Sequence, residues 1–166
     1  TGGRTGRLSG HRGAIRKLAF SANGRRLASA SFDRTARVWD VSARGDFREK
    51  FTSPATDEQL VSVALNADGR LAATAGLDGI IRIWNVETGA PGHRLAEHRN
   101  TVTALEFFDD GRELISASLD RTLRTWDVAS GARLRVLQGH RAGVTAIARQ
   151  GSLLISSGND QIIHLW

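Results

Sequence analysis

The chain has 166 residues, 40% of them apolar and 24% charged, with 18 glycines, 2 prolines and no cysteine, methionine or tyrosine. That size and apolar share suit one globular domain (residues 1–166) and argue against disorder, while the absence of cysteine excludes disulfides, thiolate zinc sites and a cysteine nucleophile and fits a cytoplasmic setting. The formal charge of +6 comes from basic residues scattered along the chain, with no basic strip interleaved with aromatics, and no apolar run is long enough to span a membrane.

In chain order, the predicted elements repeat. Gly3–Leu8 is a candidate outer strand of poor propensity, since Gly3 and Gly6 interrupt it. After His11 come large apolar residues at Ile15, Leu18 and Phe20. The same series recurs at Leu60, Val63 and Leu65, at Val102, Leu105 and Phe107, and at Val144 and Ile147. Its first gap is three residues rather than two, so a pleated strand needs a bulge there to keep one face apolar. Asn23-Gly24, Asp68-Gly69 and Asp110-Gly111 read as two-residue hairpin turns, with Gly151-Ser152 in the fourth copy. Second strands follow at 27–31, 71–75, 114–118 and 153–157, then a turn with an aspartate, then a third strand ending in tryptophan. Alternation of Arg with Leu and Val at 133–137 suits a fourth, outer strand with one wet face. No segment reads as a long amphipathic helix.

The register of the polar residues is as regular as that of the apolar ones. Trp39, Trp84, Trp126 and Trp166 recur at intervals of 45, 42 and 40 residues. Six residues before each stands Asp33, Asp78, Asp120 or Asp160, and four before that Ser29, Thr74, Ser116 or Ser156. His11, His98 and His140 lie upstream in three copies, and Thr56 occupies the position in the second. Histidine, serine and aspartate together could suggest a nucleophilic triad, but four copies in one small chain, each with a tryptophan whose indole needs an acceptor, point to structure rather than catalysis. An aspartate in a tight turn can accept from the backbone and from an imidazole N–H. No catalytic residue, cofactor site or metal site is expected; His93, His98 and His164 show neither helical ligand spacing nor thiolate companions.

Gly10-His11, Trp39-Asp40, Trp126-Asp127 and Gly139-His140 resemble the WD-repeat β-propeller family over essentially the whole chain. Asn85 after Trp84 and the missing histidine of the second copy depart from the pattern. The resemblance implies an all-β propeller of four four-stranded blades. It also implies a hydrogen-bond chain from each tryptophan through Ser or Thr and His to Asp, with the second blade the loosest or fastened differently. Repeat units are expected at about 1–40, 41–85, 86–127 and 128–166, outer strand first, so that an N-terminal strand completes the last blade.

If histidine loop and aspartate turn bond, their neighbours share one rim. That rim collects Arg12, Arg34, Arg99, Arg121 and Arg141 with Phe32, Leu77 and Leu119, a composition suited to a protein or peptide partner, acidic by charge. Pairing of Arg34 and Arg121 with nearby acids, and local packing of the leucines, is the alternative. Because the family implies seven or eight blades, four units form a half-propeller arc with exposed flanks. A head-to-tail homodimer closing an eight-bladed ring, or blades from a longer parent chain, would cover them. The expected function is a non-enzymatic interaction scaffold. A regulatory domain cut from a larger signalling protein is the second expectation, and nucleic-acid binding trails both.

Overall fold

The structure, a computed structural model, describes residues 6–108 and 111–166. It is all β among the described residues, and no helix is long and apolar enough to cross a membrane. Strands β1 (Ile15–Phe20), β2 (Arg26–Ser31), β3 (Ala36–Val41) and β4 (Phe47–Thr52) form an antiparallel sheet in sequence order. The second sheet is β5 (Leu60–Leu65), β6 (Leu71–Gly76), β7 (Ile81–Asn85) and β8 (Pro91–Leu95). The third is β9 (Val102–Phe108), β10 (Glu113–Ser118), β11 (Thr122–Asp127) and β12 (Arg133–Gln138). The fourth has β13 (Val144–Gln150), β14 (Leu153–Gly158) and β15 (Ile163–Leu165), and β15 is its outer edge among the described residues. The strand assigned to 3–8 falls partly outside the described residues, and 6–8 form no strand; Asp110 of the third hairpin turn also lies outside them.

The bulge implied by the three-residue gap is present in every sheet, between Ile15 and Lys17, Leu60 and Ser62, Ala117 and Ser118, and Val144 and Ala146. The hairpin turns differ from the expected two-residue type. In the first two sheets the Gly24 and Gly69 amides donate to the Ser21 and Asn66 carbonyls, at 2.9 and 3.0 Å, so Ala22-Asn23 and Ala67-Asp68 are the central pairs. Glycine then follows each turn at φ 68° and 76°, the left-handed conformation that lets a longer loop rejoin the ladder.

The sheets stack in chain order as four propeller blades, and each interface is built the same way. The second and third strands of one blade offer small and branched residues to the first and third strands of the next. Ala28, Ala30 and Val38 meet Leu60, Val63 and Trp84, and Ala73, Ala75, Ile81 and Ile83 meet Val102, Leu105 and Trp126. Ile115, Ala117 and Leu123 meet Val144, Leu154 and Trp166. An outer-strand residue of each blade joins the same cluster as the next tryptophan: Phe51 lies 6.0 Å from Trp84, Leu95 shares the cluster of Trp126, and Leu137 packs against that of Trp166.

Two faces lack this partner. Leu18 in the first blade is 57% exposed, whereas Val63 at the same repeat position in the second is 1% exposed. In the fourth blade Ile163 is 66% exposed, against 1% for Leu123 in the third. Ile15, Phe20 and Leu165 follow suit. The first blade's leading face and the last blade's trailing face are therefore the two halves of one more blade interface, left open.

Candidate functional site: the relays and the rim they carry

Each aspartate sits in the turn between the second and third strands, and its carboxylate organises that turn. Asp120 accepts from the Thr122 amide (3.0 Å) and hydroxyl (2.6 Å), from His98 Nδ1 (2.7 Å) and from the Arg99 amide (3.1 Å). His98 Nε2 meets Ser116 Oγ at 2.7 Å, and Trp126 Nε1–H donates to the same oxygen at 2.9 Å. The fourth repeat matches it: Asp160 to His140 Nδ1 at 2.8 Å, His140 Nε2 to Ser156 at 2.8 Å, and Trp166 Nε1 to Ser156 at 2.9 Å. In the first repeat His11 bridges Asp33 (2.7 Å) and Ser29 (2.6 Å), while the buried Trp39 ring stands edge-on to His11 at 6.2 Å without an indole bond to Ser29.

The second repeat is fastened differently. Trp84 Nε1 donates to Thr74 at 3.0 Å, while Arg82 takes over the histidine's task and binds Asp78 at 2.7 Å. Thr56 instead ties its loop to the preceding blade, its amide and hydroxyl donating to the Arg34 carbonyl at 2.9 and 3.2 Å. Asn85 caps its turn with the side-chain oxygen, accepting from the Glu87 and Thr88 amides at 2.9 and 3.0 Å.

Burial opposes ionisation of Asp120, but the Thr122 hydroxyl, His98 and the Arg99 amide outweigh it and hold the carboxyl at about 2. Asp160 behaves alike: burial pushes upward and is overcome by the Arg141 amide, His140 and the Ile162 amide, again to about 2. Asp33 is depressed for the same reasons. His98 is pushed below its ordinary value by burial, only partly offset by Asp120, so its imidazole is neutral. Ser29, Thr74, Ser116 and Ser156 are all buried, each engaged within its own blade beneath packed strands.

Histidine loop and aspartate turn share one end of each blade, and the candidate rim residues gather there. The Arg12, Arg99 and Arg141 amides bind Asp33, Asp120 and Asp160 at 2.9, 3.1 and 2.9 Å, which fixes their backbones and leaves their side chains exposed. Arg34 and Arg121, directly after the aspartate, adopt left-handed φ of 70° and 74°. Among the described residues no carboxylate lies within ion-pair distance of any of these five guanidiniums. By contrast Arg37, Arg82 and Arg124, two residues before their tryptophans, all pair with acids. Leu77 is exposed; Leu119 packs over Gly143 of the next blade and Phe32 lies under Arg16, so these two are partly withdrawn. His164 has no ligand spacing in the sequence, yet the topology places its ring 4.5 Å from that of His140.

Stacked four-stranded antiparallel blades, pinned by an indole-to-carboxylate relay and bulged at one repeated position, define a β-propeller repeat protein. The sequence model of the WD domain, G-beta repeat family matches residues 2–40, 48–85, 89–127 and 131–166, and the chain belongs to this family. It is 52% identical over 44 residues to the Periodic tryptophan protein 2 homolog of Neurospora crassa, a stretch covering 26% of this chain and 5% of that protein. The chain thus spans only a small part of that curated relative. Among solved structures, the computationally designed Ika4 protein superposes with a TM-score of 0.83 at 27% identity, covering 100% of this chain and 98% of that one. U3-55K superposes with a TM-score of 0.85 at 24% identity, covering 96% of this chain but 50% of that one, a likeness of fold.

Proposed function

We propose that this chain is a non-enzymatic scaffold whose histidine-loop rim receives an acidic peptide or protein segment. The observation that carries this reading is the set of five exposed rim guanidiniums gathered at one end of the blades with no acidic partner among the described residues, whereas Arg37, Arg82 and Arg124, two residues before their tryptophans, are paired. Two of the five occupy left-handed backbone, which costs a non-glycine residue about 1–2 kcal/mol and is easier to understand if the side chain is needed there. Membership of the WD-repeat family, whose blades serve as interaction surfaces, supports the scaffold reading. The test is binding of a fluorescent peptide of alternating Glu and Leu. Charge reversal of Arg12, Arg99 and Arg141 together should weaken it by about two orders of magnitude and flatten its salt dependence. Undiminished binding by that variant overturns the proposal.

The same proposal includes the quaternary state. Two copies joined head to tail set each copy's open trailing face (Ile163, Leu165) against the other's leading face (Ile15, Leu18, Phe20) and close an eight-bladed ring. In that ring residues 6–8 of one copy run beside the free edge of β15 in the other. The 50% coverage of the U3-55K chain supports the idea that this unit is half of a larger wheel.

A further inference from the structure

The fourth blade departs from the others at one repeat position. Two residues before the tryptophan stands an arginine in the first three repeats, Arg37, Arg82 and Arg124, and a histidine, His164, in the fourth. In the second and third repeats that guanidinium stands beside the turn carboxylate, Arg82 at 2.7 Å from Asp78 and Arg124 at 3.9 Å from Asp120. In the fourth repeat the cation is gone, and the carboxylate of Asp160 faces two imidazoles instead. One donor atom each from His140, Asp160 and His164 lie within 4.8 Å of one another. The His164 ring is held there by stacking on Trp166 at 5.3 Å and by edge contact with His140 at 4.5 Å. Its Nε2 is closed off from solvent and has no hydrogen-bond partner, an unsatisfied group of the kind that calls for a ligand or an explanation.

We propose that His140, Asp160 and His164 form a binding site for a divalent transition metal of the zinc class, which takes the place of the missing guanidinium.

Two imidazoles and a carboxylate suit zinc, with water completing a tetrahedron; calcium or magnesium would call for more oxygen donors. The proton count balances. When the metal takes the Nδ1 lone pair of His140, the imidazole proton sits on Nε2 and donates to Ser156 Oγ, 2.8 Å away. Ser156 still accepts from Trp166, and its own hydrogen turns away from His140. The Arg141 and Ile162 amides, at 2.9 and 3.2 Å, continue to orient the Asp160 carboxylate from behind. The bound ion would join the histidine loop, the aspartate turn and β15, the edge strand of the terminal blade.

The test is calorimetric titration of the whole 166-residue chain with zinc sulfate, with cobalt(II) absorption reporting ligand geometry. His164→Arg is the informative variant, because it restores the guanidinium of the second and third repeats and leaves the His140 relay in place. His93→Asn, outside the cluster, is the control. The native chain and His93→Asn should bind one zinc per chain, give a tetrahedral cobalt spectrum and melt at higher temperature with zinc. His164→Arg should bind at least about tenfold more weakly, lose the spectrum and melt at the same temperature with or without zinc. Equal zinc binding by His164→Arg, or no saturable binding by the native chain, overturns the proposal.

Discussion

Asp120 joins more of the third blade than any other side chain in its turn. Its four bonds fasten the turn, the histidine loop and, through His98 and Ser116, the indole of Trp126. Asp120→Ala removes an acceptor from groups that lie under the blade surface, and donors left unpaired there each cost about 1–3 kcal/mol. We expect a loss of about 3 kcal/mol, read as a lower denaturant midpoint at unchanged slope. A midpoint within error of the native chain would remove the relay from any part in stability. The relay also sets how acid acts. Because His98 titrates below its ordinary value in the fold, the unfolded chain takes up the proton first. Its contribution is complete above the ordinary histidine value of about 6.5 and declines as pH falls below it. Asp120, depressed from 3.8 to about 2, contributes fully above about 4 and loses that contribution as pH falls toward 2. Denaturation midpoints should thus fall in two stages, first as pH drops below about 6.5 and again below about 4. His98→Asn should flatten the part of the first stage that His98 supplies.

At the scale of the blade, one backbone shape is reused with different side chains. The residue after the turn aspartate is left-handed in all four blades, at Arg34, Gly79, Arg121 and Gln161. Glycine fits that position in the second blade, whereas arginine is strained in the first and third. Arg121→Gly relieves strain of about 1 kcal/mol and adds unfolded-chain entropy of similar size, so stability should move by less than about 0.5 kcal/mol. Affinity for an acidic peptide should fall severalfold all the same, a separation that a purely structural arginine would not show. The strands, the bulge and the relay residues were legible because they depend on spacing within one repeat: Val102, Leu105, Ser116, Asp120 and Trp126 stand at fixed offsets. Contacts set by the placing of side chains in space were not. Arg82 replacing the missing histidine, Thr56 reaching the Arg34 carbonyl and His164 meeting His140 depend on how loops and strands meet in space, which no offset encodes. The hairpin turns were misread for a related reason. Asn23-Gly24 and Asp68-Gly69 favour a two-residue turn locally, but the strands end one pair earlier, so the glycines close a wider loop.

For the whole molecule, the open flanks decide what the chain is in solution. Each internal interface buries a leading row and a trailing row, and the molecule carries one unmatched copy of each. Burial is worth roughly 25 cal/mol per Å² of apolar surface, so leaving both rows wet forfeits the stabilisation that every internal interface enjoys, while pairing them in trans recovers it twice in a two-fold ring. The mass measured by light scattering should therefore be twice the 18.0 kDa of the single chain. Leu18→Asp and Leu165→Asp place a carboxylate in the trailing-to-leading contact from opposite sides. Both side chains are exposed within one chain, so neither change disturbs that chain's own core. Each variant alone should give a folded 18.0 kDa species with unchanged β circular dichroism. Mixing the two leaves one junction native and loads both acids onto the other, so the mixed pair should associate through a single junction without closing the ring. A native chain that stays monomeric at high concentration without aggregating would show that water tolerates both rows, and the two-copy ring would then have no driving force.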